Sequence, residues 1–147
     1  IAGQGWKKRG LEKEVREQQL SNVRFLTKLP SAEFYTLINH ARIGVVTQSP
    51  KTSDVCIPSK TFNLLASNVP ILGIGDPNSD FGRLINDSGS GHVFSADDAS
   101  GMSNFIFSCF NSRETLARYQ KSTLEASKLF TPENAVRLID QFANDAC

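Results

Sequence analysis

The sequence predicts an α/β fold in which a parallel sheet carries helices on both faces and the C-terminal third is helical. Two observations predict it. Short apolar runs bounded by turn residues alternate with segments whose apolar residues recur at helical spacing. The last third contains only helical spacing. Strands that alternate with helices are typical of crossover connections between parallel strands, which bury the sheet on both faces.

Five apolar runs are predicted strands. They are residues 1–2, 23–26, 43–46, 70–74 and 92–94. Helices are predicted between them from apolar stripes and caps. The predicted buried stripes are Leu11, Val15 and Leu20 in a helix from about residue 9 to 19; Phe34, Leu37, Ile38 and Ala41 after a Ser31 cap; Phe62, Leu65 and Ala66 before Asn68; and Phe81, Leu84 and Ile85.

The C-terminal helices are predicted from the same rhythm. One stripe comprises Met102, Phe105, Ile106, Cys109 and Phe110, and the last comprises Ala135, Leu138, Ile139, Phe142 and Ala143. Thr131 followed by Pro132 is a strong start signal for the last helix. These stripes predict core packing.

Composition predicts one globular domain and no bulk charge recognition. The chain has 147 residues, is 39% hydrophobic, and carries 16 Lys and Arg against 15 Asp and Glu. This balance does not favour nucleic acid or an anionic membrane as the main partner. Three cysteines without CxxC spacing argue against a disulfide framework or a zinc site and fit a cytoplasmic setting. Because Ile1-Ala2-Gly3 reads as the end of a strand, we expect a fragment of a longer protein.

The segment Pro58-Ser59-Lys60-Thr61 is the strongest candidate for chemistry. Ser59 is predicted to cap the helix that follows. Lys60 in the first turn opposes the helix dipole, which suits an anion held between them. Free N–H groups, hydroxyls and an ammonium would together cradle a phosphate. Asn63 follows one turn later. The alternative is an ordinary cap beside a solvated lysine.

Two glycines after the first strand, Gly3 and Gly5, would let the backbone approach a ligand at the carboxyl edge of the sheet. A simple tight turn explains them equally well. A dinucleotide fingerprint would need a glycine where Lys8 stands and an acid at the next strand end, where Thr27 and Lys28 stand.

Other familiar motifs are excluded or interpreted as structural. A P-loop lacks its glycines at residues 54–58. His40 is predicted to close a helix and His92 to begin a strand. Five aspartates at turns and helix starts are predicted to cap and to complement helix dipoles, namely Asp76, Asp80, Asp87, Asp97 and Asp98. The polar segment from Gln48 to Ile57 is predicted to be a flexible loop.

Several blocks follow one another along the chain: the glycine turn, Asn22-Val23-Arg24-Phe25-Leu26, Pro58-Ser59-Lys60-Thr61-Phe62-Asn63-Leu64-Leu65-Ala66-Ser67, Pro70-Ile71-Leu72, and Ser79-Asp80-Phe81-Gly82-Arg83-Leu84-Ile85 through Gly89-Ser90-Gly91. In this order they resemble the C-terminal, donor-binding domain of GT-B glycosyltransferases of the family 4 type. The Pro-Ser-Lys-Thr-Phe-Asn block is most similar to bacterial enzymes that build surface polysaccharides and O-antigens.

This resemblance implies the Rossmann-like half of a two-domain enzyme, here without its first strand and helix and without the N-terminal acceptor domain. It implies sugar transfer, with retention and without an essential metal or other cofactor, from a nucleotide-sugar such as a UDP-sugar. The acceptor would be a glycan or a lipid-linked molecule. The full-length enzyme would be cytoplasmic, with peripheral association at the inner face of the membrane.

The resemblance also implies roles for particular residues. Gly3, Gly5, Ser59, Lys60, Thr61 and Asn63 would bind the donor, with Lys60 acting on the charge of the leaving diphosphate. Thr27 and Lys28 would contact the base by main chain. Val55 and Asn63 stand where many relatives have two glutamates, so sugar recognition would depend on backbone or on Ser53 and Asp54.

Three rival functions remain open from the sequence. The first is a non-catalytic nucleotide-binding or interaction module, which the residues at 55 and 63 make reasonable. The second is a nucleotide-sugar epimerase of the same architecture. An oxidoreductase comes last because the dinucleotide fingerprint is broken.

Overall fold

A computed structural model describes residues 1–53, 55–131, 133–134 and 136. By its internal contacts the chain divides into two compact units, Ile1–Leu37 and Ile38–Cys147. The expectation of one domain stays a prediction. The predicted start of the last helix at Pro132, its stripe from Ala135 to Ala143, and Asp54 lie outside the described residues.

The described chain contains six α-helices, three strands and one short 3₁₀ helix. The helices are α1 (Lys8–Glu17), α2 (Ser31–Asn39), α3 (Lys60–Ala66), α4 (Asp80–Ser88), α5 (Ala99–Asn111) and α6 (Arg113–Ser127). The strands are β1 (Gly44–Thr47), β2 (Ile71–Ile74) and β3 (Gly91–Phe94), and the 3₁₀ helix is Pro50–Thr52.

The three strands form one parallel sheet in the order β1-β2-β3. Gly44 pairs with Ile71, and Ile71 pairs with Gly91. Each strand of this sheet is also followed along the chain by a helix. The parallel pairing and this alternation together confirm the predicted α/β class with a parallel, Rossmann-like sheet. The predicted strands at 43–46, 70–74 and 92–94 agree with β1, β2 and β3 to within one residue.

Helices cover both faces of this sheet. A Cβ on Gly44 would meet the Leu64 side chain of α3, and one on Gly73 would meet Phe81 of α4. These glycine positions lie on one face because β1 and β2 are in register. Leu72 points to the opposite face, where it packs with Phe105 and Cys109 of α5. Helix α6 packs against α3, α4 and α5.

The core lies between this sheet and its helices. Its most enclosed apolar side chains are Val46, Leu65, Val69, Ile71, Phe81, Ile85, Val93 and Cys109. On the α5 side, Phe94 and Phe105 meet edge to face, as do Phe105 and Tyr119 of α6. Such packing positions the carboxyl ends of the strands, where ligands bind in parallel α/β sheets.

In the first unit, the two predicted strands are reduced to a single parallel bridge between Ala2 and Leu26. The predicted extended strand at 23–26 is therefore wrong, although its parallel pairing is correct. Helix α1 buries no residue, and Leu11 and Leu20 are exposed. Spacing alone showed an amphipathic helix, but a buried face also requires an element packed against it.

Three further expectations differ from the structure. Ser31 is the first residue of α2 and not its cap, and Leu37 is exposed. In α3 the buried residues are Thr61, Leu64 and Leu65, while Ala66 is exposed. The buried face is thus rotated from the predicted one.

The predicted stripe of α5 is only half correct. Phe105 and Cys109 are buried, but Ile106 and Phe110 are exposed. The stripe was too wide because the sheet and α6 contact a narrower band of this helix.

Candidate functional site

A pocket in the first unit contains two of the predicted donor-binding residues. Its volume is about 270 Å³, and it is lined by Ala2, Gly3, Lys28, Leu29, Ser31 and Phe34. Gly3 and Lys28 were each predicted to follow the carboxyl end of a strand, and the two strand ends are bridged in parallel. The pocket combines an aromatic ring and aliphatic side chains with a lysine and a serine, so it offers both apolar and polar contacts to a small molecule.

Backbone pairing at Leu26 builds this pocket. Leu26 N–H donates to Ile1 O at 2.8 Å, and Gly3 N–H donates to Leu26 O at 3.2 Å. Lys8 Nζ lies 3.4 Å from the same carbonyl oxygen. Gly3 has a φ of +144°, a conformation that L side chains rarely adopt. Glycine is therefore required where the chain turns beside the pocket.

The other predicted residues of this unit lie in the open. Gly5 is exposed, and a Cβ there would meet nothing within 4 Å. Its carbonyl accepts from Lys8 N–H at 2.9 Å. Thr27 is exposed and directly precedes the pocket residue Lys28.

In the second unit, the start of α3 presents the predicted lysine to solvent. Lys60 is exposed as the first residue of α3, and Asn63 is half-buried one turn later. Ser59 occupies the N-cap position, but its side chain caps no N–H and its backbone is helical, with φ −58° and ψ −25°. The predicted side-chain cap at Ser59 is therefore wrong, because effective caps need an extended backbone at that position.

Thr61 lies in the core and not on the ligand side of the helix. The residue is fully buried, and its hydroxyl oxygen is buried with no hydrogen-bond partner among the described residues. Helical spacing places it with Leu64 and Leu65 on the face toward the protein interior. This position differs from the predicted contact between its hydroxyl and a phosphate.

The loop before α3 is tied by internal hydrogen bonds. Ser53 is buried and its hydroxyl donates to Pro50 O at 2.9 Å, so its hydroxyl proton is used within the loop. Val55 is 80% exposed. Gln48 Nε2 donates to Thr52 O at 3.2 Å and to Cys56 O at 2.6 Å.

The aspartates have structural partners, as predicted, at four of the five positions. Asp76 accepts from Asn78 N–H at 2.8 Å, and Asp98 caps α5 by accepting from Gly101 N–H at 2.8 Å. Asp80 lies in the first turn of α4 and pairs with Arg83 at 2.6 Å. The hydroxyl of Ser95 donates to Asp97 and lowers the pKa of that carboxyl.

The histidines are separate and metal ligands are not clustered. His40 directly follows α2, and His92 is the second residue of β3, with its ring 4.4 Å from that of Phe94. Within the described ranges, no group of three or more His, Cys, Asp and Glu side chains could hold a metal ion.

Sequence reasoning missed four lining residues of the pocket, Ala2, Leu29, Ser31 and Phe34. They follow or flank the two bridged strand ends. The rule that ligands bind beyond the carboxyl ends of parallel strands could have found them. The predicted site residues thus fall into two groups. Gly3, Gly5, Thr27 and Lys28 belong to the first unit, and Ser59, Lys60, Thr61 and Asn63 belong to the second.

No model of a known protein family matches this sequence, and no curated protein is significantly similar to it. In the part of the chain that the structure describes, none of the helices has the length and apolar character needed to cross a bilayer.

Proposed function

We propose that this chain is the donor-binding part of a retaining glycosyltransferase that transfers a sugar from a nucleotide-sugar to a glycan or lipid-linked acceptor in polysaccharide biosynthesis. The observation that carries the proposal is the pocket that Gly3 and Lys28 line together with Leu29 and Phe34. Gly3 and Lys28 were both predicted donor contacts, and a planar base could pack against the apolar side chains of Leu29 and Phe34.

Each unit is given its own proposed role, base binding in the first and anion binding in the second. A base in the pocket would lie against Phe34 and Leu29, and Lys28 and Thr27 would contact the nucleoside. Lys60 is exposed at a helix start, so its ammonium is available to an anion. As the glycosidic bond breaks, negative charge grows on the leaving diphosphate. A cation already aimed at that charge stabilises the transition state more than the ground state.

The parallel sheet of the second unit supports a role for the start of α3, which follows β1, because α/β sheets of this kind bind nucleotides beyond the carboxyl ends of their strands. Under the proposal the full-length enzyme acts in the cytoplasm, at the inner face of the membrane where a lipid-linked acceptor would be. The exposed thiol of Cys56 and the buried thiol of Cys109 are both free, which fits a reducing compartment.

Calorimetric titration tests the proposal. The chain is titrated with UDP, GDP and UDP-sugars, and the titrations are repeated with Lys60→Ala and with the control Lys121→Ala, which removes an exposed lysine of α6. We expect one nucleotide to be preferred. We also expect a roughly tenfold or greater loss of affinity in Lys60→Ala only, since a charge-assisted contact to phosphate contributes about 1.5–3 kcal/mol. Equal affinity in both variants would contradict the role of Lys60.

A further inference from the structure

Gln48 connects the end of a core strand to the loop that leads into α3. It directly follows β1, is 7% exposed, and its N–H donates to Ile74 O of β2 at 2.8 Å. The backbone of Gly75 passes close beside it, because a Cβ on Gly75 would lie 3.3 Å from Gln48 Cβ. The side chain therefore starts from a rigid position in the sheet.

The amide of Gln48 holds two points of the loop. Nε2 donates to Thr52 O at 3.2 Å and to Cys56 O at 2.6 Å. An amide nitrogen has two N–H donors, so both are used, and the two carbonyls determine which end of the amide is nitrogen. Oε1 lies 3.3 Å from the Ser79 hydroxyl, which also donates to Asp76 O at 2.7 Å.

We infer that Gln48 is a positioning residue, which holds the loop at Thr52 and Cys56 and thereby places the start of α3 and its exposed Lys60 for the donor. The inference rests on the proposed function. Only Ile57, Pro58 and Ser59 separate the anchored Cys56 carbonyl from Lys60. Fixing the Cys56 carbonyl therefore restricts the position of Lys60, in the way that a supporting hydrogen bond restricts the side chain of a site residue.

The two hydrogen bonds that residue 48 donates to the loop depend on the amide group of glutamine. An ionised glutamate has no donor and would turn an oxygen toward the two carbonyls, while methionine matches the length without any polar atom. Either substitution removes the side-chain donor shared by the carbonyls of Thr52 and Cys56, so that Thr52 O keeps only the Val55 N–H at 3.3 Å, and the loop loses both of its hydrogen bonds to the Gln48 amide.

Hydrogen exchange in the ligand-free chain tests the loop. The probes are the amides of Lys51, Thr52 and Val55, which are hydrogen-bonded within the loop, and the controls are the amides of Gly101 and Val93, which are bonded to Asp98 and Asn86. In Gln48→Met and Gln48→Glu we expect the probe amides to exchange at least about tenfold faster, with the controls unchanged. Unchanged probes, or equal acceleration of probes and controls, would overturn the inference.

Measuring exchange over a range of pH distinguishes the loss of the hydrogen-bond donors at residue 48 from a change of packing there. Residue 48 is 7% exposed and its side chain faces two carbonyl oxygens, so we expect the pKa of the Gln48→Glu carboxyl to lie above its ordinary value of about 4.3. As the pH falls from about 7.5 to about 5, the carboxyl should take up a proton and regain one hydrogen-bond donor, and its excess exchange relative to the native chain should fall several-fold. Gln48→Met has no titratable group and should keep its excess. Identical pH profiles for the two variants would contradict the role of Gln48 as a hydrogen-bond donor to the loop.

The affinity for a nucleotide-sugar tests whether the ordered loop positions Lys60 for binding. We expect the affinity for the preferred UDP-sugar or GDP-sugar to fall about tenfold in both variants. Native affinity in a variant whose loop has opened would overturn the positioning role while leaving the proposed function intact. Absence of binding by the native chain would count against the proposed function, and the exchange data would still decide whether Gln48 holds the loop.

Discussion

Gly73 of β2 lies directly beneath the ring of Phe81 of α4: a Cβ on Gly73 would be 2.9 Å from Phe81 Cζ and 2.5 Å from Val93 Cγ2. Phe81 is fully buried, as is Val93 apart from 1% of its surface. The absence of a side chain at residue 73 therefore allows α4 to approach the sheet. The close packing of α4 against the sheet sets the position of the turn before α4, and this turn includes Ser79.

This contact predicts the effect of a single added methyl group. Gly73→Ala should lower the free energy of unfolding by about 1–3 kcal/mol, because the methyl overpacks a close-packed core. Urea denaturation measures the change. The control is Gly10→Ala in α1, where a Cβ meets nothing within 4 Å and no loss of stability is expected. Equal losses in both variants would contradict the packing explanation.

The pocket of the first unit predicts that occlusion abolishes nucleotide binding. Ser31 lines the pocket and is exposed, so Ser31→Trp should place an indole across it without disturbing a core. We expect affinity for the preferred nucleotide to fall at least about tenfold, by the loss of the apolar and polar contacts of that site. Calorimetry measures the affinity. Ala32→Trp, at the neighbouring exposed position outside the pocket, should bind normally; impaired binding in both would point to a general effect of the indole.

Two serines at N-cap positions should differ in their effect on stability. Ser112 has an extended backbone and its hydroxyl accepts from Thr115 N–H at 3.1 Å, whereas Ser59 caps nothing. Ser112→Ala should cost about 1 kcal/mol of unfolding free energy, and Ser59→Ala should cost less than about 0.5 kcal/mol. Thermal unfolding followed by circular dichroism compares them. An equal loss at Ser59 would contradict the observed cap geometry.

The two described cysteines should differ in reactivity. Cys56 is exposed, while Cys109 is buried and its burial raises the pKa of the thiol. Since the thiolate is the reactive form, near neutral pH Cys56 should react with a thiol reagent at least about tenfold faster. The measurement uses a Cys147→Ser background, with the modified peptide identified by mass spectrometry. Equal rates would mean that α5 opens readily from the sheet.

Local patterns were sufficient to predict most elements of the second unit. The runs that became β1, β2 and β3 are short, apolar and bounded by turn residues, and α4 shows its stripe at Phe81 and Ile85. These features depend on near neighbours in the chain, so a sequence contains them directly. The same holds for the caps at Asp98 and for the left-handed backbone of Asn68 after α3.

Burial and site geometry depended on contacts that are distant in sequence. Leu11 and Phe110 have core-like spacing but are exposed, whereas Thr61 is polar and enclosed. Gln48 is bonded to a serine 31 residues away. Such outcomes follow from which elements pack against each other, and no local window contains that information.

The sequence by itself determined the α/β class, the alternation of strands and helices, and the approximate place of each element in the second unit, because periodicity and turn chemistry act over a few residues. Only the tertiary structure decided that Gly3 and Lys28 line one pocket, that Ser59 does not cap α3, and that Gln48 ties down the loop before Lys60. The physical reason is that these arrangements depend on where the backbone brings distant groups together, and each hydrogen bond or enclosed side chain forms only after that packing exists.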